Sequence, residues 1–114
     1  MADCLFCKIV AGEIKARIVV ETDDVLAFRD IDPKAPVHVL VIPKQHIASI
    51  NDIQPEHAGL VGQLYLAAKA VAESEGIAET GYRTVINCGA DGGQLIPHIH
   101  LHVLGGRQMT WPPG

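Results

Sequence analysis

The chain alternates between short apolar runs and turn-forming clusters, and the period of its pattern changes once. Ile18-Val19-Val20-Glu21 and Val25-Leu26-Ala27-Phe28-Arg29-Asp30 are strand-like stretches separated by Thr22-Asp23-Asp24, a link short enough for a hairpin. After the loop Ile31-Asp32-Pro33-Lys34-Ala35-Pro36 comes His38-Val39-Leu40-Val41-Ile42-Pro43, whose dense apolar run predicts a central strand buried on both faces. From Pro55 to about Glu75 apolar residues recur every three or four positions, at Ala58, Val61, Leu64, Ala68 and Val71, with Leu60 and Ala67 widening the stripe. That spacing predicts the main helix, with Pro55 at its first position and Gly76 at its stop. Tyr82 to Asn87 and His98 to Val103 read as two more strands on either side of the glycine-rich loop Cys88-Gly89-Ala90-Asp91-Gly92-Gly93-Gln94. Near the start, Cys4 to Gly12 predicts a short helix with Leu5, Ile9 and Phe6 turned inward. The β-β-β-α-β-β order of closely spaced strands predicts an α+β fold, an antiparallel sheet with one long helix.

At 114 residues the chain has room for one core, so residues 1–114 are expected to form a single domain. No apolar run approaches the roughly 18 residues of a membrane-spanning helix, and Met1-Ala2-Asp3-Cys4 lacks a basic leader start, so no membrane partner and a cytoplasmic location are expected. The net charge of −4, with Lys and Arg scattered, argues against DNA or RNA as a partner. Any phosphate site must then be local. Cys4 and Cys7 are too close together to suggest a disulfide framework, but a Cys-x-x-Cys can supply half of a tetrahedral zinc site. Cys88 reads as a small buried filler, His57 as a surface residue and His38 as a structural histidine bonded to a neighbouring backbone group. Trp111 lies in a proline-rich tail and is expected to pack at a dimer interface or over a pocket.

The chemistry concentrates in Gln94-Leu95-Ile96-Pro97-His98-Ile99-His100-Leu101-His102-Val103-Leu104, which holds three of the six histidines at alternate positions. On a strand, His98, His100 and His102 would share one face and Ile99, Leu101 and Val103 the other. One reading is a merely polar face. A second is zinc, although three ligands from one extended strand cannot readily converge on one ion, because alternate ends lie about 13 Å apart. A third is nucleophilic catalysis, in which one ring nitrogen is held by a backbone carbonyl and the other attacks phosphorus, the middle histidine being best placed. Asp91-Gly92-Gly93-Gln94 adds permissive backbone and N–H groups beside it, a local means of holding an anion.

These residues resemble a known pattern. His98-Ile99-His100-Leu101-His102-Val103-Leu104 is similar to the signature of the histidine triad superfamily of nucleotide hydrolases and transferases. Leu26-Ala27-Phe28-Arg29-Asp30-Ile31, Val41-Ile42-Pro43-Lys44-Gln45-His46, the Asp91 to Gln94 loop and the Gly105 to Gly114 tail resemble its Hint branch, the nucleoside phosphoramidases. The resemblance implies a homodimer with joined sheets, binding a purine nucleotide such as AMP or GMP. It implies His100 as nucleophile, forming a nucleotidyl-histidine that water hydrolyses, with His102 and His98 flanking it. Asp30 would contact the ribose, Ile31 the base, Asn87 and the backbone at Gly93 and Gln94 the phosphate, and His46 would lie beside the leaving group. Leu95, also beside the nucleotide, stands where the branch commonly has a hydroxyl residue and can give no side-chain proton, so poor leaving groups are expected to depart more slowly. Pro97, where the branch usually has another residue, removes a strand donor before His98. No cofactor is needed for this chemistry. Relatives with the Cys-x-x-Cys bind structural zinc, which here would involve Cys4, Cys7, His46 and His98. Dinucleoside polyphosphate hydrolysis and a non-catalytic nucleotide-sensing or protein-binding module are the alternative functions.

Overall fold

The structure is a computed structural model and describes residues 3–114. Met1 and Ala2, half of the start read above for a leader, lie outside the described residues. The order is α1 (Leu5–Val10), β1 (Ile18–Glu21), β2 (Val25–Arg29), β3 (Val37–Pro43), α2 (Ala58–Ser74), β4 (Tyr82–Val85) and β5 (Leu101–Gly105), with two 3-10 turns before α2. The five strands form one antiparallel sheet in the order β1-β2-β3-β5-β4. The α+β expectation, with one long helix and a short N-terminal one, is met.

Alternation decides what each side of the sheet carries. Val25 and Ala27 of β2, Val39 and Val41 of β3, and Leu101 and Val103 of β5 point to one face. There they pack with Leu64, Ala67, Ala68, Val71 and Ala72 of α2 into the main core. The intervening residues Leu26, Phe28, Leu40 and Ile42 face the other way and pack with Cys4 and Phe6. β3 is buried from His38 to Pro43, as its dense apolar run predicted. Because Leu40 pairs with His102 across β3 and β5, His102 belongs to the α1 face. The sheet thus separates a purely apolar layer from the layer that holds the histidines.

Several local expectations change. The last strand begins at Leu101, so His98 and His100 precede the sheet instead of lying on it. Pro97 has no N–H to give, the His98 N–H turns back to Ile96 O at 2.9 Å, and the Ile99 N–H goes to Ile47 O at 2.7 Å. The segment therefore runs beside the chain that follows β3. Asn87 lies beyond β4, which stops at Val85. In α1, Phe6 is the buried anchor and Leu5 is exposed, while Ile9 is half-buried. Ala58 is exposed, and α2 becomes buried from Leu64 onward. Arg29 grips Glu75 with both guanidinium nitrogens, Nη2 to Oε2 at 2.8 Å, which fastens the end of α2 to β2. Gly76 follows with φ +73°, the left-handed stop expected of it. Among the described residues no helix is long and apolar enough to cross a membrane.

Candidate active site and metal cluster

In the α1 layer His38, His98 and His100 each touch a backbone group, and that contact fixes where the proton of each neutral ring sits. His100 Nδ1 lies 2.8 Å from His98 O. A carbonyl only accepts, so Nδ1 carries the proton and Nε2 keeps its lone pair. His98 Nε2 lies 2.8 Å from Pro43 O, so by the same rule its Nδ1 is bare. His38 is the opposite case, because the Lys34 N–H donates to its Nδ1 at 3.0 Å. Neutral His38 must then hold its proton on Nε2, which donates to His102 Nδ1 at 2.9 Å. His102 is left with a proton on Nε2, a buried atom with no partner.

Burial favours the neutral forms on which these assignments rest. His38 and His98 are both held below the ordinary histidine value chiefly by burial, with Asp30 opposing the shift at His38 and the Pro43 carbonyl opposing it at His98. His102 is pushed down to about 4 by burial, then by His100 and His38. With both rings neutral, the site sets a bare nitrogen, His100 Nε2, near a buried N–H donor, His102 Nε2, on rings whose centroids are 4.9 Å apart. A nucleophile beside a donor for a developing oxyanion is the minimum equipment for transfer at phosphorus.

A second group converges on the other side of His100. His98 Nδ1 lies 3.3 Å from Cys4 Sγ, 3.6 Å from Cys7 Sγ and 3.3 Å from His46 Nδ1, and Cys7 Sγ is 3.4 Å from His46 Nδ1. Tetrahedral zinc, with N at about 2.0–2.1 Å and S at about 2.3 Å, would set N and N about 3.3 Å apart and S and N about 3.5 Å apart. These four distances match those of a tetrahedral zinc site, and all four donor atoms lie within 4.8 Å of one another. The Pro43 carbonyl on His98 Nε2–H is the outer contact such a ligand needs to present its other nitrogen. Burial, then the neighbouring Cys4 thiol, raises the Cys7 thiol, so without a cation the group is disposed to stay protonated.

The remaining residues fall around this centre. Asp30 Oδ2 is 3.4 Å from His38 Nε2, while its Oδ1 accepts from the Asp32 N–H at 2.8 Å. Ile31 and Leu95 are 99% and 88% exposed, so this chain encloses neither. Asn87 is half-buried at the start of the glycine loop. The Gly93 and Gln94 N–H groups, expected to face phosphate, instead close the loop on Ala90 O and Gly89 O, each at 3.0 Å. The Gln94 side chain donates to Ala48 O and Ile96 O at 2.7 and 3.0 Å, tying the loop to the segment before the histidines. A Cβ on Gly92 would stand 2.4 Å from Cys88 O, so only glycine fits. Trp111 is 81% exposed with the Arg83 guanidinium 5.9 Å from its ring centroid. His57 accepts the Gln54 N–H at 2.9 Å and so caps the turn that leads into α2.

The residue beside the triad that the sequence pattern does not single out is His38. Its bond to backbone was expected, but its second nitrogen orients His102. The available signal was parity: His38 shares the face of Leu40 and Ile42 on β3, opposite the face that packs on α2. A groove lined by Val20, Thr22, Asp24, Gln63, Leu66 and Ala70 lies on the α2 side and contains no imidazole or thiol.

Residues 11–109 match the HIT domain model. The chain is 49% identical to the adenylylsulfatase HINT1 of Arabidopsis thaliana, over 96% of this chain and 76% of that protein. It is 48% identical to a 14 kDa zinc-binding protein of Brassica juncea, over 98% of this chain and all of the relative. A crystal structure of a HIT family hydrolase from Legionella pneumophila superposes with a TM-score of 0.96 at 56% identity, covering 98% of this chain and 100% of that one. Sequence, fold and the placement of the histidines agree, and the chain belongs to the HIT domain family.

Proposed function

We propose that this protein is a nucleotide hydrolase that cleaves nucleoside 5′-phosphoramidates and related adenylylated compounds, with His100 as nucleophile. The observation that carries the reading is the His100 ring, whose Nδ1–H is held by His98 O so that Nε2 alone can attack. In the first step Nε2 forms a bond to phosphorus while the bond to the leaving group breaks. The ring becomes a nucleotidyl-imidazolium, whose positive charge the His98 carbonyl stabilises through Nδ1–H. His102 Nε2–H donates to a phosphoryl oxygen, and a leaving amine takes its proton from solvent. Water then attacks phosphorus, releases its proton to solvent and restores neutral His100 as the nucleoside monophosphate departs.

In the same reading Asp30 accepts from the ribose hydroxyls, Ile31 lies against the base, and Asn87 donates to the phosphate. Gly93 and Gln94 shape the loop beside the phosphate, and Leu95 lies beside the leaving group. A second subunit joining at the unpaired edge of β4 would bring the exposed Trp111 tail toward a partner, and the free edge supports a homodimer. Zinc held by Cys4, Cys7, His46 and His98 would supply a structural cross-link and no electrophile for the reaction. The family match and the HINT1 relative support a nucleotide substrate such as AMP esters and amides. Leu95 specifically favours leaving groups that depart without a proton, such as the sulfate of an adenylyl sulfate, the class named for the Arabidopsis relative.

The test is turnover of adenosine 5′-phosphoramidate and adenylyl sulfate by the parent and His100→Ala proteins. The variant should lose at least about a thousandfold in kcat while still binding AMP. Binding of AMP without hydrolysis of either compound by the parent would instead favour a sensing module.

A further inference from the structure

His98 takes part in both groups at once. Its ring is fully buried, with Nδ1 facing Cys4, Cys7 and His46, and its own carbonyl holds the proton-bearing nitrogen of His100 at 2.8 Å. A second contact runs from the same cluster to the same nucleophile. Phe6 sits between Cys4 and Cys7 in the first turn of α1, and its ring meets His98 and His100 edge-on, with centroids 5.8 and 5.2 Å apart. Phe28 of β2 closes on Phe6 at 5.5 Å. The two cysteines therefore bracket the residue that walls the nucleophile, and the histidine they face supplies its hydrogen-bond acceptor.

We propose that Cys4, Cys7 and His46 are positioning residues for His100. A zinc-class cation in their group fixes the His98 ring and the turn that carries Phe6, and through those two contacts holds the His100 ring with Nε2 toward the substrate. The inference rests on the reading of His100 as nucleophile. It differs from a cluster that only stabilises the fold, because it makes the state of the His100 ring depend on the cluster in protein that is fully folded.

The experiment compares zinc-loaded protein, chelator-treated protein and Cys7→Ser, at a temperature where circular dichroism shows all of them folded. Nitrogen-15 correlation spectra of the imidazoles report the His100 ring directly. In zinc-loaded protein His100 should be a single Nδ1–H tautomer with slow proton exchange. Loss of the cation should produce mixed tautomers, exchange at least about tenfold faster, and kcat lower by about 10–100-fold with KM within about twofold. Should metal-free protein not fold, Phe6→Leu in zinc-loaded protein decides, since it keeps all four ligands. It should lower kcat about three- to tenfold and broaden the same His100 signal. An unchanged His100 tautomer and kcat in folded metal-free protein, or in Phe6→Leu where that variant decides, overturns the proposal. If zinc-loaded protein turns over and His100→Ala does so equally well, the nucleophile reading fails instead, and the proposal with it.

Discussion

The two groups that flank His100 are made of similar side chains and present opposite things to a ligand. On one side Cys4, Cys7, His46 and His98 turn two sulfurs and two ring nitrogens toward a common point, the arrangement that suits a cation. On the other side Lys34, His38 and His102 form a chain of donors that ends on an unpartnered N–H, the arrangement that suits a phosphoryl oxygen. The difference does not lie in the imidazoles. Pro43 O takes the proton-bearing nitrogen of His98 and exposes its lone pair, whereas the Lys34 N–H takes the bare nitrogen of His38 and sends a proton outward. His100 belongs to the first class by its contact with His98 O, which is why it can be a nucleophile, and it lies beside the second class, which can receive the charge it displaces.

The contrast can be broken from the donor side. His102→Ala removes the free N–H and should lower kcat about 10²–10³-fold, the usual cost of losing one oxyanion donor, while zinc stoichiometry stays unchanged. Single-turnover kinetics with parallel metal analysis checks both halves. A parallel loss of metal would show that the two groups are one structural unit.

Acid titration sharpens the same contrast. The folded His102 value, about 4, lies below the ordinary histidine value, so below about pH 6.5 the unfolded chain binds a proton that the folded site refuses. The stabilisation is complete above about pH 6.5 and is lost as the pH falls through about 4. Allowing for partial exposure of the ring, the parent should lose about 1.5 kcal/mol more than His102→Gln between pH 7 and pH 4 in denaturant titrations. Equal losses in the two proteins would remove the assignment of a neutral His102 ring. The smallest expected effect concerns the leaving group: Leu95→Ser should raise the rate about threefold on an amine-leaving substrate and leave the rate on adenylyl sulfate unchanged. Equal response of both substrates, or of neither, would count against Leu95 as the reason for a leaving-group preference.

Much of the architecture was legible because it depends on side chains. The parity of β2 and β3 separates the residues that meet α2 from those that meet α1, and the stripe at Leu64, Ala67, Ala68 and Val71 identifies the covered face of the helix. The chemical content of the site was legible for the same reason, as a spaced histidine run and a Cys-x-x-Cys. What was not legible is the work of backbone atoms. The run His98 to Val103 has the alternation of a strand throughout, yet pairing starts only at Leu101, opposite Val41, because beyond it the Ile99 N–H has gone to Ile47 O and the Pro43 carbonyl is taken by the His98 ring. Nothing in the identity of Pro43, His98 or Lys34 announces that its carbonyl or amide will select a tautomer. The backbone bond of His38 was legible, but its second contact, to His102, was not, since that contact depends on a strand pairing between segments about 60 residues apart.

The central claim is that His100 Nε2 forms a covalent bond to phosphorus, and intact-mass analysis tests it most directly. His102→Ala, mixed with adenosine 5′-phosphoramidate and quenched within one turnover, should gain the mass of one adenylyl group, mapped by fragmentation to His100. An absence of that adduct, in protein shown to bind AMP and to turn the substrate over, would contradict the account.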